Sequence, residues 1–287
     1  MISNEIEFHA PATLEEALGL LASDGDEVTV LSGGMSLVPM MNLGIVRPEK
    51  VLSLNKLSEL GRVTERDGQL VIGALVRHTE VATHPLIRQH CPVLASAAGM
   101  IGDTQVRNRG TIGGSVAHAD PAADYLPVLA ALGGRVTLSS SAGERTLSPD
   151  EFFIDLMFTS REPEEIVTAV TVPKLAAGWR SAFTRLARVE GSFAIVNAAA
   201  VVAGDGGSAV VGLGGVGPTP LVVDVTGQLR GGVDEASLAA VGELVREAAK
   251  DASGDLMSDA GYRREMASVF ARRACAAAAA PEAEVRA

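Results

Sequence analysis

Between Thr13 and Ser23 the apolar positions Leu14, Ala17, Leu18 and Leu21 recur at helical spacing, with Glu15 and Glu16 in the first turn and Thr13 as a capping residue. The spacing predicts an amphipathic helix, ended by Asp24-Gly25-Asp26. Residues 27–31, EVTVL, then alternate as a strand into Ser32-Gly33-Gly34. LVPMMNL (37–43) predicts a short helix and KVLSL (50–54) a second strand. This β-α-β-like opening predicts a small, largely parallel sheet with its loops at one end.

From Leu60 to about Pro173 the strands shorten and alternate with helices. QLVIGA (69–74), RVTLSS (135–140) and EIVTAVTVP (165–173) read as strands; PVLASAAGMIG (92–102) and YLPVLAALGG (125–134) read as helices. A mixed unit follows, then a linker at Lys174–Trp179. WRSAFTRLAR, AIVNAAAVVAG, SAVVGLGG and PLVVDV predict a strand meander, followed by helices over 235–252 and 260–280 and a frayed end, AAAAAPEAEVRA. The fold class is α+β: a two-part domain, with a small β-α-β subdomain and a mixed α/β subdomain, then a smaller C-terminal domain of a β-meander and helices.

Composition narrows the chemistry. The 287 residues suffice for two domains with cores of their own, and 47% are hydrophobic. Lys plus Arg number 24 against 35 Asp plus Glu, a formal charge of -11, so a nucleic-acid partner is not expected. Cys91 and Cys275 lie far apart, which encodes neither a disulfide framework nor a cysteine-ligated cluster and fits a reducing compartment. The start, MISNEIEFHAPATLEEA, lacks a signal-peptide pattern, and no apolar run approaches the ~18 residues of a membrane span. These features predict a soluble, intracellular protein.

Two glycine pairs carry the candidate chemistry, and both are expected at strand ends. In Ser32-Gly33-Gly34-Met35-Ser36, glycine permits φ > 0 and close approach of a ligand to the backbone, while Ser32 and Ser36 add hydroxyl donors. Thr111-Ile112-Gly113-Gly114-Ser115 repeats the arrangement, and two such loops suit the two phosphates of a dinucleotide. No Lys-Ser/Thr follows either pair, which excludes a Walker loop. A literal GxGxxG at Gly212–Gly217 precedes PTPLVVDV, a strand rather than the helix a Rossmann fingerprint opens. Asp120 and Asp124 are read either as acceptors for a sugar-chain hydroxyl or as helix caps. His118 with these aspartates matches no metal spacing, and no metal site is expected. His78, His84 and His90 read as scattered surface residues, and Arg107 and Arg109 as structural pairs or as support for the phosphate site.

These loops, in LSGGMSLVPMMNLGIVRPEKVLSL and GDTQVRNRGTIGGSVAHADPAADYLPVL, resemble those of the flavin-binding medium subunit of the molybdenum hydroxylases, the family of aerobic carbon monoxide dehydrogenase and xanthine dehydrogenase. LGGVGPTPLVVDV and YRREMASVFARRA are similar to segments of that family's C-terminal domain. The resemblance implies FAD, with its pyrophosphate held by Ser32, Gly33, Gly34, Met35 and Ser36 and by Thr111, Gly113, Gly114 and Ser115, and with Leu37 as a further cofactor-binding position. It further implies Asp124 on a hydroxyl of the flavin chain, apolar contacts from Ile101 and Ile166, and Arg185 and Phe193 beside the isoalloxazine. Met35 stands where His, Gln or Thr is common, Ser192 replaces a frequent acid, and Phe193 lacks a tyrosine hydroxyl.

The same resemblance implies an FAD-binding domain over 1–175, with subdomains of about 1–56 and 57–175, and a C-terminal domain over 176–287. Its partners would be an iron–sulfur small subunit with [2Fe–2S] clusters and a molybdopterin large subunit, as a dimer of heterotrimers. The complex would be cytoplasmic, or peripheral at the inner face of the membrane. Electrons would pass from the iron–sulfur chain through FAD to an external acceptor, with no residue for substrate chemistry in this chain. The alternatives are a stand-alone FAD-dependent oxidase or reductase, and a non-catalytic nucleotide-binding protein.

Overall fold

The computed structural model describes residues 5–204 and 207–280. Its first part is a sheet of three parallel strands, β1 (Glu7–His9), β2 (Val28–Leu31) and β3 (Lys50–Ser53), in the order β1-β3-β2. α1 (Leu14–Asp24) carries the chain from β1 to β2. Thr13 caps it, its hydroxyl accepting from the Glu16 N–H while Glu16 accepts from the Thr13 N–H, an arrangement of ~1 kcal/mol. Its buried face, Ala17 and Leu21, packs with Leu52, Leu54 and Leu57. α2 (Leu37–Asn42) links β2 to β3, so Ser32–Ser36 lies at the carboxyl end of the parallel strands.

The second sheet is antiparallel. It contains β4 (Val63–Arg66), β5 (Gln69–Gly73), β6 (Arg135–Ser140) and β7 (Gly143–Leu147). After a small hairpin of β8 (Phe153–Asp155) and β9 (Phe158–Thr159), β10 (Ile166–Pro173) enters its centre, giving the order β4-β5-β10-β6-β7. Six helices fill the long excursion between β5 and β6: α3 (His78–Thr83), α4 (Pro85–His90), α5 (Pro92–Met100), α6 (Thr104–Arg109), α7 (Ile112–His118) and α8 (Tyr125–Leu132). α9 (Pro149–Phe152) follows β7. The sequence pattern marks only α5 and α8 of the six, because the others have 6 or 7 residues and complete too few turns to show a period.

The C-terminal part is the expected meander, β11 (Arg180–Leu186), β12 (Val196–Val202), β13 (Ala209–Gly214) and β14 (Leu221–Asp224), antiparallel in sequence order. α10 (Thr226–Leu229), α11 (Glu235–Ala248) and α12 (Ala260–Ala279) follow. Every residue of β12 is buried because the sheet is covered on both sides. Val196, Ala198, Ala200 and Val202 join a core with Phe270, Ala271 and Ala274 of α12, whereas Ala199 and Val201 join the core of α5 and α8. That double burial explains an apolar run without alternation.

Gly212, the first glycine of the GxGxxG string, serves this packing. A Cβ on Gly212 would come within 2.1 Å of the Pro127 carbonyl oxygen, so a side chain there would push α8 off the sheet. The expected frayed end is corrected in part: α12 continues helical through Ala279, its Ala274, Cys275 and Ala278 buried, while residues 281–287 lie outside the described residues. Among the described residues no helix is long and apolar enough to cross a membrane.

Candidate functional site

The two glycine loops meet. Ser32 Oγ and Thr111 Oγ1 are 2.7 Å apart, and a Cβ on Gly33 would lie 2.3 Å from the Arg109 carbonyl oxygen and 2.8 Å from the Gly110 Cα. Gly33 is therefore glycine because another backbone passes against it. Gly34 is glycine because its φ is +78°, where a Cβ is strained. Arg77 ties the junction together: its guanidinium donates to the Arg109 carbonyl and, at 3.0 Å, to Asn55 Oδ1, while Asn55 Nδ2 donates to the Ser32 carbonyl at 3.2 Å.

The second loop differs from its expected form. It lies between α6 and α7 rather than at a strand end, and Gly113 and Gly114 occupy the first turn of α7 without positive φ. Thr111 caps that turn, accepting from the Gly114 N–H at 3.1 Å, and Gly113 donates to the Ala74 carbonyl at 2.9 Å. A Cβ on Gly113 would strike Ala74 at 2.3 Å. Its amides are thus largely committed to the fold. By contrast, among the described residues the N–H groups of Gly34, Met35, Ser36 and Leu37 have no partner in the chain. Together with hydroxyls on both loops, they form a cradle fit for an anion.

The cradle lies in a cleft of about 480 Å³ whose lining includes Ser32, Gly33, Gly34, Met35, Ser36, Leu37, Ile101, Thr111, Gly113, Gly114, Ser115, Asp124, Ile166, Arg185 and Phe193. All the residues singled out for cofactor binding are thus brought together. Ile166 is buried, and Phe193 is 58% exposed at the rim.

The cleft spans both parts of the chain, and a buried ion pair fastens them there. Arg185 Nη1 on β11 donates to Asp124 Oδ2 at 2.8 Å and to the Met100 carbonyl at 2.6 Å; Nη2 donates to the Ser192 carbonyl. Asn197 Nδ2 on β12 donates to Asp124 Oδ1 at 2.9 Å. Asp124 is therefore the acid that Arg185 pairs with. Burial pushes the Asp124 carboxyl up to about 6 even though Arg185 and Asn197 pull it down. Asp124 occupies the cap position of α8 without a capping bond, whereas Asp120 accepts from the Ala122 N–H at 2.8 Å.

Several neighbouring assignments are settled by packing. Arg107 is structural, its Nη1 donating to the carbonyls of Ile101 and Gly102 at 3.0 and 2.9 Å, and the Arg109 side chain is exposed. His78 corrects its surface reading: it is 4% exposed, lines the cleft, and sits 2.9 Å from the Tyr125 hydroxyl through Nδ1. Sequence reasoning missed His78, Tyr125, Arg77, Asn55 and Asn197. Only Asn197 left a signal, a lone amide within the apolar run AIVNAAAVV.

A two-loop anion cradle continuous with an apolar-walled cleft defines a dinucleotide-binding protein. Residues 4–175 match the family model described as the FAD binding domain in molybdopterin dehydrogenase, and residues 181–278 match the CO dehydrogenase flavoprotein C-terminal domain. The chain belongs to this family of flavoprotein medium subunits of the molybdenum hydroxylases. It is 34% identical to the carbon monoxide dehydrogenase medium chain of Hydrogenophaga pseudoflava, over 97% of this chain and 98% of that one. A solved carbon monoxide dehydrogenase from the same organism superposes with a TM-score of 0.90, at 34% identity and 97% and 98% coverage. Quinoline 2-oxidoreductase from Pseudomonas putida 86 gives 0.86, at 31% identity and the same coverages.

Proposed function

We propose that this chain is the FAD-carrying electron-transfer subunit of a cytoplasmic molybdenum hydroxylase complex. It would take electrons from a [2Fe–2S] small subunit, fed by a molybdopterin large subunit, in a dimer of heterotrimers. The observation that carries the reading is the meeting of the two glycine loops, Ser32 to Thr111 at 2.7 Å, beside four unpartnered amides. Division into an FAD-binding domain over 1–175, with parts at about 1–56 and 57–175, and a C-terminal domain over 176–287 belongs to the same reading. So does peripheral attachment of the complex at the inner face of the membrane.

Bound FAD supplies exchange of electrons between one-electron and two-electron partners. The chain's own residues bind and orient it. Gly34, Met35, Ser36 and Leu37 offer backbone N–H groups to the pyrophosphate, with Ser32, Thr111 and Ser115 adding hydroxyls and Gly33, Gly113 and Gly114 leaving room for it. Asp124 accepts from a hydroxyl of the flavin chain, and Ile101 and Ile166 provide apolar contact. Arg185 and Phe193 lie at the flavin-ring end in this assignment. Because Asp124 offsets its charge, Arg185 acts there chiefly by holding the Ser192 carbonyl, and with it the segment carrying Phe193.

FAD should bind the isolated chain roughly 100-fold more tightly than FMN, since two charge-assisted hydrogen bonds of ~1.5 kcal/mol each are lost with the second phosphate. Titration of flavin fluorescence checks this, and equal affinities would overturn the cradle as a pyrophosphate site. Co-purification of iron–sulfur and molybdenum chains from the native host tests the complex. A stand-alone oxidase would instead turn over its own substrate when purified alone.

A further inference from the structure

His78 is held too specifically for a packing residue. Its backbone N–H donates to the Gly110 carbonyl at 3.1 Å, and its ring passes so close beneath Gly110 that a Cβ there would fall 2.5 Å from Nε2. Gly110 is in turn the residue whose Cα crosses Gly33. The imidazole therefore lies under the point where the two loops meet, and it lines the cleft.

The proton on this ring can be placed. Burial, then Arg77 and Arg107, pull His78 down to about 4, so at neutral pH the ring is uncharged and one nitrogen carries hydrogen. Burial raises the Tyr125 phenol well above its ordinary range, so it keeps its proton. Among the described residues that hydroxyl has no partner except His78 Nδ1, at 2.9 Å. If Nδ1 carried the hydrogen, two donors would face each other or a buried phenol proton would go unmatched, at a cost of ~1–3 kcal/mol. The phenol therefore donates to Nδ1, and the hydrogen sits on Nε2. Among the described residues Nε2 has no acceptor.

We propose that His78 is a binding residue for the dinucleotide, its Nε2–H donating to a phosphate oxygen at the meeting of the two loops, with Tyr125 as the positioning residue that selects the tautomer. The proposal rests on the cleft being the FAD site. Phosphate is favoured over the flavin ring because Nε2 lies against Gly110, which leads into the Thr111-capped turn and whose Cα lies against Gly33 of the first loop.

The test is long-range proton–nitrogen correlation on the full chain labelled at its 5 histidines, with His78 assigned from the spectrum of His78→Gln. ADP, which carries the pyrophosphate without the flavin, and FAD are both expected to shift the His78 Nε2 signals; riboflavin is not. His78→Phe should weaken ADP binding about 10-fold or more, the range for loss of a bond to a charged group. His78→Gln, whose amide nitrogen reaches near the Nε2 position, should recover most of it. Unmoved His78 signals in an ADP-saturated protein, a shift with riboflavin alone, or equal losses in both variants overturn the proposal while leaving FAD binding intact. A wild-type chain that binds neither ADP nor FAD would overturn the site itself.

Discussion

Gly33→Ala is expected to deprive the protein of its flavin while leaving the C-terminal meander folded. The added methyl must occupy a point 2.3 Å from the Arg109 carbonyl oxygen and 2.9 Å from its carbon, both backbone atoms that no rotamer change can remove. One of the loops has to move, which parts Ser32 from Thr111 and strains the bonds that Arg77 makes at the same junction. Overpacking of this kind costs ~1–3 kcal/mol locally, but the larger effect falls on the cradle, whose geometry depends on both loops at once. Gly114→Ala is the milder change: its methyl meets the Thr111 Oγ1 at 2.9 Å and Ser32 Cβ at 3.5 Å, and a side-chain oxygen can shift where a backbone carbonyl cannot. FAD content after purification, with circular dichroism for the fold, measures both. Stoichiometric FAD in Gly33→Ala would show that the meeting of the loops is not what binds it.

That contrast also shows what the sequence could and could not display. The pairs Gly33-Gly34 and Gly113-Gly114 look alike as strings, yet one glycine accommodates a crossing backbone, one a left-handed φ, and two a capped helical turn against Ala74. Local periodicity made α1, α5, α8, α11 and α12 legible, because each buries a stripe of side chains through two turns or more. It also marked the meander through its turns. The four short helices and the outer strands β4 and β7 carry little internal pattern, and their positions follow from tertiary contacts. β4 has 4 residues, three of them exposed, and β7 has 5, four of them exposed, so neither buries a stripe that the sequence could display.

The candidate site was legible through its glycines and hydroxyls, which a phosphate loop requires wherever it occurs. Its supporting frame was not. Arg77, Asn55 and His78 are separated in sequence from the loops they brace, and nothing in their flanking residues distinguishes them from surface side chains. Asn197 is the exception in principle, since an amide inside a doubly buried strand needs a partner, and Asp124 supplies it.

Arg185→Met should destabilise the chain by about 3–5 kcal/mol at pH 8, the cost of leaving one member of a buried ion pair alone. The side chains of Arg185 and Asp124 are only 10% and 6% exposed, so water cannot replace the lost guanidinium. For a protein of this size the loss corresponds to a fall in Tm of roughly 6 °C or more. The penalty has a definite pH dependence. In the wild type, the Asp124 carboxyl is raised from 3.8 to about 6 on folding, so its contribution to stability is full below 3.8 and is lost as pH rises through about 6. Removing Arg185 takes away a group that lowers this value, and the carboxyl must climb further. The variant is therefore nearest to wild type at about pH 5, where Asp124 is protonated in both, and furthest from it at pH 8. Asp124→Asn in the Arg185→Met background should recover much of the stability, because it removes the stranded charge and keeps a partner for Asn197. Thermal unfolding of the wild type, both single variants and the double variant at the two pH values resolves the coupling. An Arg185→Met variant as stable as wild type at pH 8, or a double variant no more stable than Arg185→Met, would mean that the pair does not fasten the two parts of the chain across the cleft.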